Sequence, residues 1–169
     1  EVLADLARLA AIWAWARRET GSKGPWLCGD YSAADVFFAP VAARVAGYNL
    51  PLAAPEDRAY VAAHLAHPAF RRWRAMGLVE GADQPFYRRD WPQRPWPGPA
   101  PMAATPLPDH LAPASENSAC PYSGKPVTHV MALQGRVWGF CNAFCRDKTA
   151  ADPEAWPGFM ALLTGTGLR

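Results

Sequence analysis

Residues 26–41, Trp26-Leu27-Cys28-Gly29-Asp30-Tyr31-Ser32-Ala33-Ala34-Asp35-Val36-Phe37-Phe38-Ala39-Pro40-Val41, decide how the first half of this chain folds. Ser32 followed three residues later by Asp35 reads as a capping box. The hydroxyl accepts from a backbone N–H three residues on, and the carboxylate reaches back to the Ser32 N–H. Asp replaces the more usual Glu, and its charge suits the positive end of a helix. Tyr31 and Val36 stand where a hydrophobic staple would place them. The helix this predicts, over about 33–46, carries Val36, Phe37, Phe38, Val41, Ala42 and Val45. It is apolar on nearly every side, as the buried centre of a bundle should be. Pro40 inside it removes one donor and predicts a kink. Capping accounts for Ser32 and Asp35, which are read as structural rather than catalytic.

Upstream, Val2, Leu3, Leu6, Leu9, Ala10, Trp13 and Ala16 recur at helical intervals and predict one long amphipathic helix that ends at Gly21-Ser22-Lys23-Gly24-Pro25. Downstream, Pro55 and Pro68 suit the first turn of a helix, where a missing N–H is harmless. They introduce two shorter helices, over 56–65 and 69–76, with Tyr60, Val61, Leu65, Phe70, Trp73 and Met76 on the apolar faces. From Pro85 to Pro113 nine prolines exclude regular helix and central strand, leaving a spacer or a strap. Phe86, Trp91 and Trp96 favour the strap, because solvated linkers seldom carry aromatics. Beyond Ser118, runs over 126–133 and 136–140 read as two strands joined at Gln134-Gly135. A short helix over 141–149 follows, and Asp152-Pro153 opens a last one carrying Trp156, Phe159, Met160, Leu162 and Leu163.

The composition is that of an ordinary globular protein: 169 residues, half of them hydrophobic, with a net charge of +2. That charge is too small to imply nucleic acid, and Arg71, Arg72 and Arg74 read as a solvated face. No apolar run approaches the roughly 18 residues of a membrane span. The first segment carries Asp5, Arg8, Arg17, Arg18 and Glu19, so it is neither a span nor a signal peptide. The four cysteines divide into isolated Cys28 and the trio Cys120, Cys141 and Cys145, which favours reduced thiols and a cytoplasmic setting. The chain opens at Glu1 without an initiator Met, which suggests a fragment or a processed chain.

Residues 26–41 resemble the "FLxGxxSxADxxxxP" stretch of glutathione transferase C-terminal domains. The continuation Ala43-Arg44-Val45-Ala46-Gly47-Tyr48-Asn49-Leu50 looks like bacterial members of that superfamily, and the spacing of Tyr60, Pro68 and Trp73 suits them. The resemblance covers about residues 1–80. It implies a two-domain transferase in which a thioredoxin-like domain holds glutathione, and a homodimer formed through the helical domain. The residues that do that chemistry have no counterparts in this chain. On the same resemblance Arg44 and Tyr48, one turn apart, are candidates for an electrophile pocket or a domain interface; local hydrogen bonds are the alternative.

The tail is similar to the YHS/TRASH group of small metal-binding modules. The likeness rests on Cys120-Pro121-Tyr122-Ser123-Gly124, on Gly139-Phe140-Cys141-Asn142-Ala143-Phe144-Cys145, and on Ala151-Asp152-Pro153-Glu154-Ala155-Trp156. Those modules carry a cysteine where this chain has Ser123. Cys141 and Cys145 lie one helical turn apart. With Cys120 across a hairpin they make three corners of a tetrahedral Zn²⁺ site, the fourth being His129, Asp147 or water. The alternative is a metal-free module whose cysteines are small core residues. His64, His67 and His110 show no ligand spacing, and Cys28 reads as core.

The expected architecture is mainly α. It comprises a helical bundle of the glutathione transferase C-terminal type over 1–84, a Pro-rich strap over 85–117 and a ββαα cysteine module over 118–169. The expected function is that of a glutathione-transferase-family portion without its own glutathione site, carrying a metal-binding tail. The alternative is a non-catalytic metal-binding or interaction module on a helical scaffold.

Overall fold

A computed structural model describes residues 1–92 and 94–165; the last four residues of the expected tail module lie outside them. The chain divides into two compact units. One comprises Glu1–Phe70 with Trp91–Pro99, the other Arg71–Asp90 with Ala100–Arg169.

In the first unit, α1 (Val2–Thr20) buries Leu6 and Trp13, with Leu9 and Ala16 half-buried beside them. Val2 and Leu3 stay exposed. Gly21 closes the helix with φ 66°, a left-handed conformation that costs glycine little. In α2 (Ala33–Gly47) the buried residues are Asp35, Ala39, Ala42 and Val45. The small residues among them face α3 (Pro55–Ala66), its principal neighbour. Val36 is 54% exposed and Phe37 84%, so α2 is not buried all round as its composition suggested. The expected staple is also replaced, since the Tyr31 ring stacks on His67 at 3.7 Å between centroids. Trp13 holds the middle of this core edge-on to Phe38 at 5.8 Å and to Tyr60 at 4.8 Å. Arg17 pairs with the buried Asp57 carboxylate at 2.8 Å, joining α1 to α3. The Trp91–Pro99 segment lies on this unit through Trp96, which stacks on Phe70 at 6.2 Å and packs against the cluster of Ala39 and Leu65. Trp91 and Phe86 remain exposed.

The second unit corrects the expected fold class. Its sheet has three antiparallel strands in the order β1-β2-β3: β1 (Ala104–Leu107), β2 (His129–Leu133) and β3 (Arg136–Phe140). The chain is therefore mixed α/β, not a mainly α bundle with a two-stranded ββαα tail. The extra strand comes from the Pro-rich segment. Proline is barred from central strands because it lacks the N–H that a neighbouring strand on either side would need, yet it is tolerated at an edge. β1 is an edge strand, with Pro106 opposite Met131. Gln134 (φ 54°) and Gly135 (φ 72°) make the two-residue β2–β3 turn, the left-handed pair that matches strand twist.

Behind the sheet lie α5 (Ala143–Ala151) and α6 (Pro157–Leu163). Between them runs a 3₁₀ turn over Pro153–Ala155. The core is Met131, Leu133, Trp138, Phe140, Trp156 and Phe159, joined by Ala75 of α4 (Pro68–Leu78). Arg71, also on α4, clamps buried Asp152 through two bonds of 2.8 and 2.6 Å and reaches Glu154 at 3.1 Å. Such a two-pronged charge-assisted contact fixes orientation as well as distance.

Candidate metal centre

Three local structures deliver the cysteines. The first is the tight loop Cys120-Pro121-Tyr122-Ser123-Gly124. Here the Gly124 N–H returns to the Cys120 carbonyl at 2.9 Å and the Cys120 N–H donates to the Lys125 carbonyl at 2.8 Å. Gly124 sits at φ 68°, which lets the chain reverse. The second is the end of β3, where Cys141 directly follows Phe140. The third is the first turn of α5, capped by Asn142, whose side-chain oxygen accepts the Cys145 N–H at 2.8 Å.

Asn117 joins loop to sheet. Its amide donates to the carbonyls of Ala119 (2.8 Å) and Gly139 (2.9 Å) and accepts the Gly139 N–H (2.8 Å). Gly139 is required there, since a Cβ would come within 2.5 Å of Val127.

The result is convergence. The sulfurs of Cys120, Cys141 and Cys145 all lie within 4.8 Å of one another. All three cysteines are free thiols, Cys120 buried and the other two half-buried. Three thiols so placed can hold a metal ion, since sulfurs on a shared tetrahedral ion at about 2.3 Å each would be separated by roughly 3.8 Å.

The electrostatics of Cys120 and Cys145 differ. Burial opposes ionisation of Cys120, but backbone N–H groups of Tyr122, Cys141 and Ser123 point at its sulfur and the Ser123 hydroxyl lies beside it. They bring its pKa down to about 7. Burial, together with the neighbouring sulfurs of Cys120 and Cys141, pushes Cys145 up to about 11, against a smaller opposing pull from Lys148. A cluster of unmetallated thiols repels its own second and third negative charges. A cation removes that cost.

His129 turns its Nδ1 to the Thr128 hydroxyl at 2.8 Å and its Nε2 towards Asp109 at 3.5 Å, and it is not part of the sulfur cluster. Asp147 is paired with Arg146 at 2.7 Å. Ser123, at the position where the resembled modules carry a cysteine, donates to the Cys141 sulfur at 3.2 Å. Its position after Cys-Pro-Tyr was the available signal, since that spacing returns a side chain to the sulfur cluster. In comparisons with known proteins, no family model, no curated protein and no solved structure matches this chain.

The remaining sequence candidates lie in the first unit. Asp35 is fully buried and forms the expected capping box with Ser32. Its carboxylate accepts the Ser32 N–H at 2.8 Å, the Ser32 hydroxyl at 2.9 Å and, from outside the box, the Leu27 N–H at 3.1 Å. Burial works against its ionisation, but these donors outweigh it and hold its pKa below the usual carboxylate value. Arg44 and Tyr48 are both exposed, in the last turn of α2 and at its C-cap. Cys28 is exposed, not core. His64 is fully buried against Tyr60 and Trp26, with neither ring nitrogen hydrogen-bonded. Among the described residues no helix is long and apolar enough to cross a membrane.

Proposed function

We propose that the second unit is a metal-binding module that holds one zinc ion, or another thiophilic divalent ion, through Cys120, Cys141 and Cys145. The observation that carries this reading is the mutual approach of three free sulfurs to within 4.8 Å, delivered by three separate pieces of backbone. Thiolates suit Zn²⁺, and the Ser123 hydroxyl or a water completes the shell. A structural site of this kind normally has four strong protein donors; one with three binds its ion more weakly and leaves an exchangeable position. The module is therefore read as a sensing or trafficking element, with binding as its activity.

Cadmium titration of the reduced protein tests this. A thiolate-to-metal charge-transfer band should saturate at one equivalent and should weaken in each single Cys→Ser variant. No band, with all three thiols reacting freely in the folded protein, would refute the reading.

For the first unit we propose the helical domain of a glutathione-transferase-type protein, supported by the buried box in which Asp35 ties Ser32 to Leu27. On that reading glutathione binds to a domain other than this unit, and the helical unit self-associates. Calorimetry should give no heat with glutathione, and sedimentation should give a dimer. A glutathione isotherm from this chain, or a monomer at all concentrations, would count against it.

A further inference from the structure

Lys148 occupies an unusual position on α5. It lies one turn beyond Cys145, and its ammonium sits 4.0 Å from the centre of the Trp156 ring and 4.2 Å from that of Tyr122, with Phe144 at 5.6 Å. Among the described residues no carboxylate pairs with it. The rings are themselves fixed. The Tyr122 hydroxyl is bonded to Thr149 at 2.5 Å, and the Trp156 indole N–H donates to the Lys148 carbonyl at 3.1 Å. Aromatic faces attract a cation and hold it in place, but they do not neutralise it. The positive charge is thus kept available one turn of α5 beyond Cys145 and over Tyr122 of the loop that carries Cys120. The nearest arginine on the helix, Arg146, is committed elsewhere, to Asp147 and Asp109.

The charge of the centre gives this a purpose. A divalent ion taking three thiols releases three protons and leaves a complex of net charge −1. Arsenite, As(OH)₃, taking the same three thiols releases three waters and leaves a neutral complex. We infer that Lys148 is the fixed counter-charge of the three-cysteine centre and selects ions whose trithiolate complex is anionic, divalent zinc and cadmium above trivalent arsenic. The inference rests on the metal-centre reading above and adds a determinant of ion specificity to it.

The test measures cadmium and arsenite affinities, each by competition, in the wild type, Lys148→Gln and Lys148→Arg. The account expects Lys148→Gln to lose about tenfold in cadmium affinity, the scale of one partly screened charge interaction. Its arsenite affinity should stay within about twofold of the wild type on the same argument, because no net charge remains to be compensated. Lys148→Arg should keep the cadmium affinity, since guanidinium also stacks on aromatic faces. Equal losses for both ions in Lys148→Gln would show a structural role and overturn the inference, as would no loss for either. Should Lys148→Gln fail to fold, Lys148→Met, which keeps the apolar stem, takes its place with the same expected contrast. If the wild type binds neither ion, the metal-centre reading itself falls. If it binds both and the substitutions change nothing, only the role of Lys148 falls.

Discussion

Acidification should unfold the first unit through His64. The imidazole is fully buried, with both nitrogens unpartnered. Burial drives its pKa down from 6.5 to about 4; the Asp35 carboxylate opposes the shift and His67 adds to it. The folded state therefore binds fewer protons than the unfolded chain between those two values. The stability tied to this group is complete above pH 6.5, declines as the pH falls, and is gone below about 4. At roughly 1.4 kcal/mol per tenfold change in proton affinity, the gap corresponds to about 3 kcal/mol. His64→Phe removes the titration and fills much the same volume among Tyr60, Trp26 and Tyr31. Urea unfolding read by hydrogen exchange at α3 amides isolates this unit from the other. At pH 7 the variant should equal or exceed the wild type, because two buried polar atoms without partners are lost. Between pH 7 and pH 4 the wild type should lose about 3 kcal/mol more than the variant. Parallel pH profiles would refute the argument, and so would a variant much weaker at pH 7, which would mean the nitrogens have partners.

Asp35→Ala should cost about 3 kcal/mol, because it orphans the buried Leu27 N–H and the half-buried Ser32 N–H, whereas Ser32→Ala should cost about 1 kcal/mol. A reversed ranking of denaturation midpoints would contradict the capping account. Arg71→Ala should destabilise the second unit by about 3–5 kcal/mol by leaving the Asp152 carboxylate buried and unpaired. Adding Asp152→Ala should restore part of that loss, and a double variant worse than the sum of the singles would be evidence against the clamp. Removing metal with a chelator should speed hydrogen exchange in residues 120–125 and the first turn of α5 while leaving α1–α3 unchanged, since ion binding and local folding are linked. Uniform exchange before and after chelation would argue against a structural role for the ion.

Much of the fold was legible because local signals and tertiary structure agree. Ser32 and Asp35 announced the start of α2, Pro55 and Pro68 the starts of α3 and α4, and Gln134-Gly135 the hairpin turn. What failed was any inference that needed to know what lies alongside. The run of apolar residues in α2 looked buried on all sides, yet Val36 and Phe37 face outward, because composition does not say which faces have neighbours. The density of prolines around Ala104–Leu107 hid a strand that is permitted only by its place at the edge. The site divided in the same way. Spacing alone brought Cys120, Cys141 and Cys145 into one cluster, since a turn of helix and a hairpin fix those separations. That His129 stands apart from the cluster depends on strand pairing and on its partners Asp109 and Thr128, which no local pattern encodes.

X-ray absorption on the zinc-loaded, reduced protein tests the central claim most directly, because it counts the atoms bound to the ion. The account predicts three sulfur neighbours at about 2.3 Å and one lighter oxygen neighbour at about 2.0 Å, with no imidazole scattering. A shell of nitrogen and oxygen alone, or two sulfurs with histidine, would contradict a centre built from Cys120, Cys141 and Cys145.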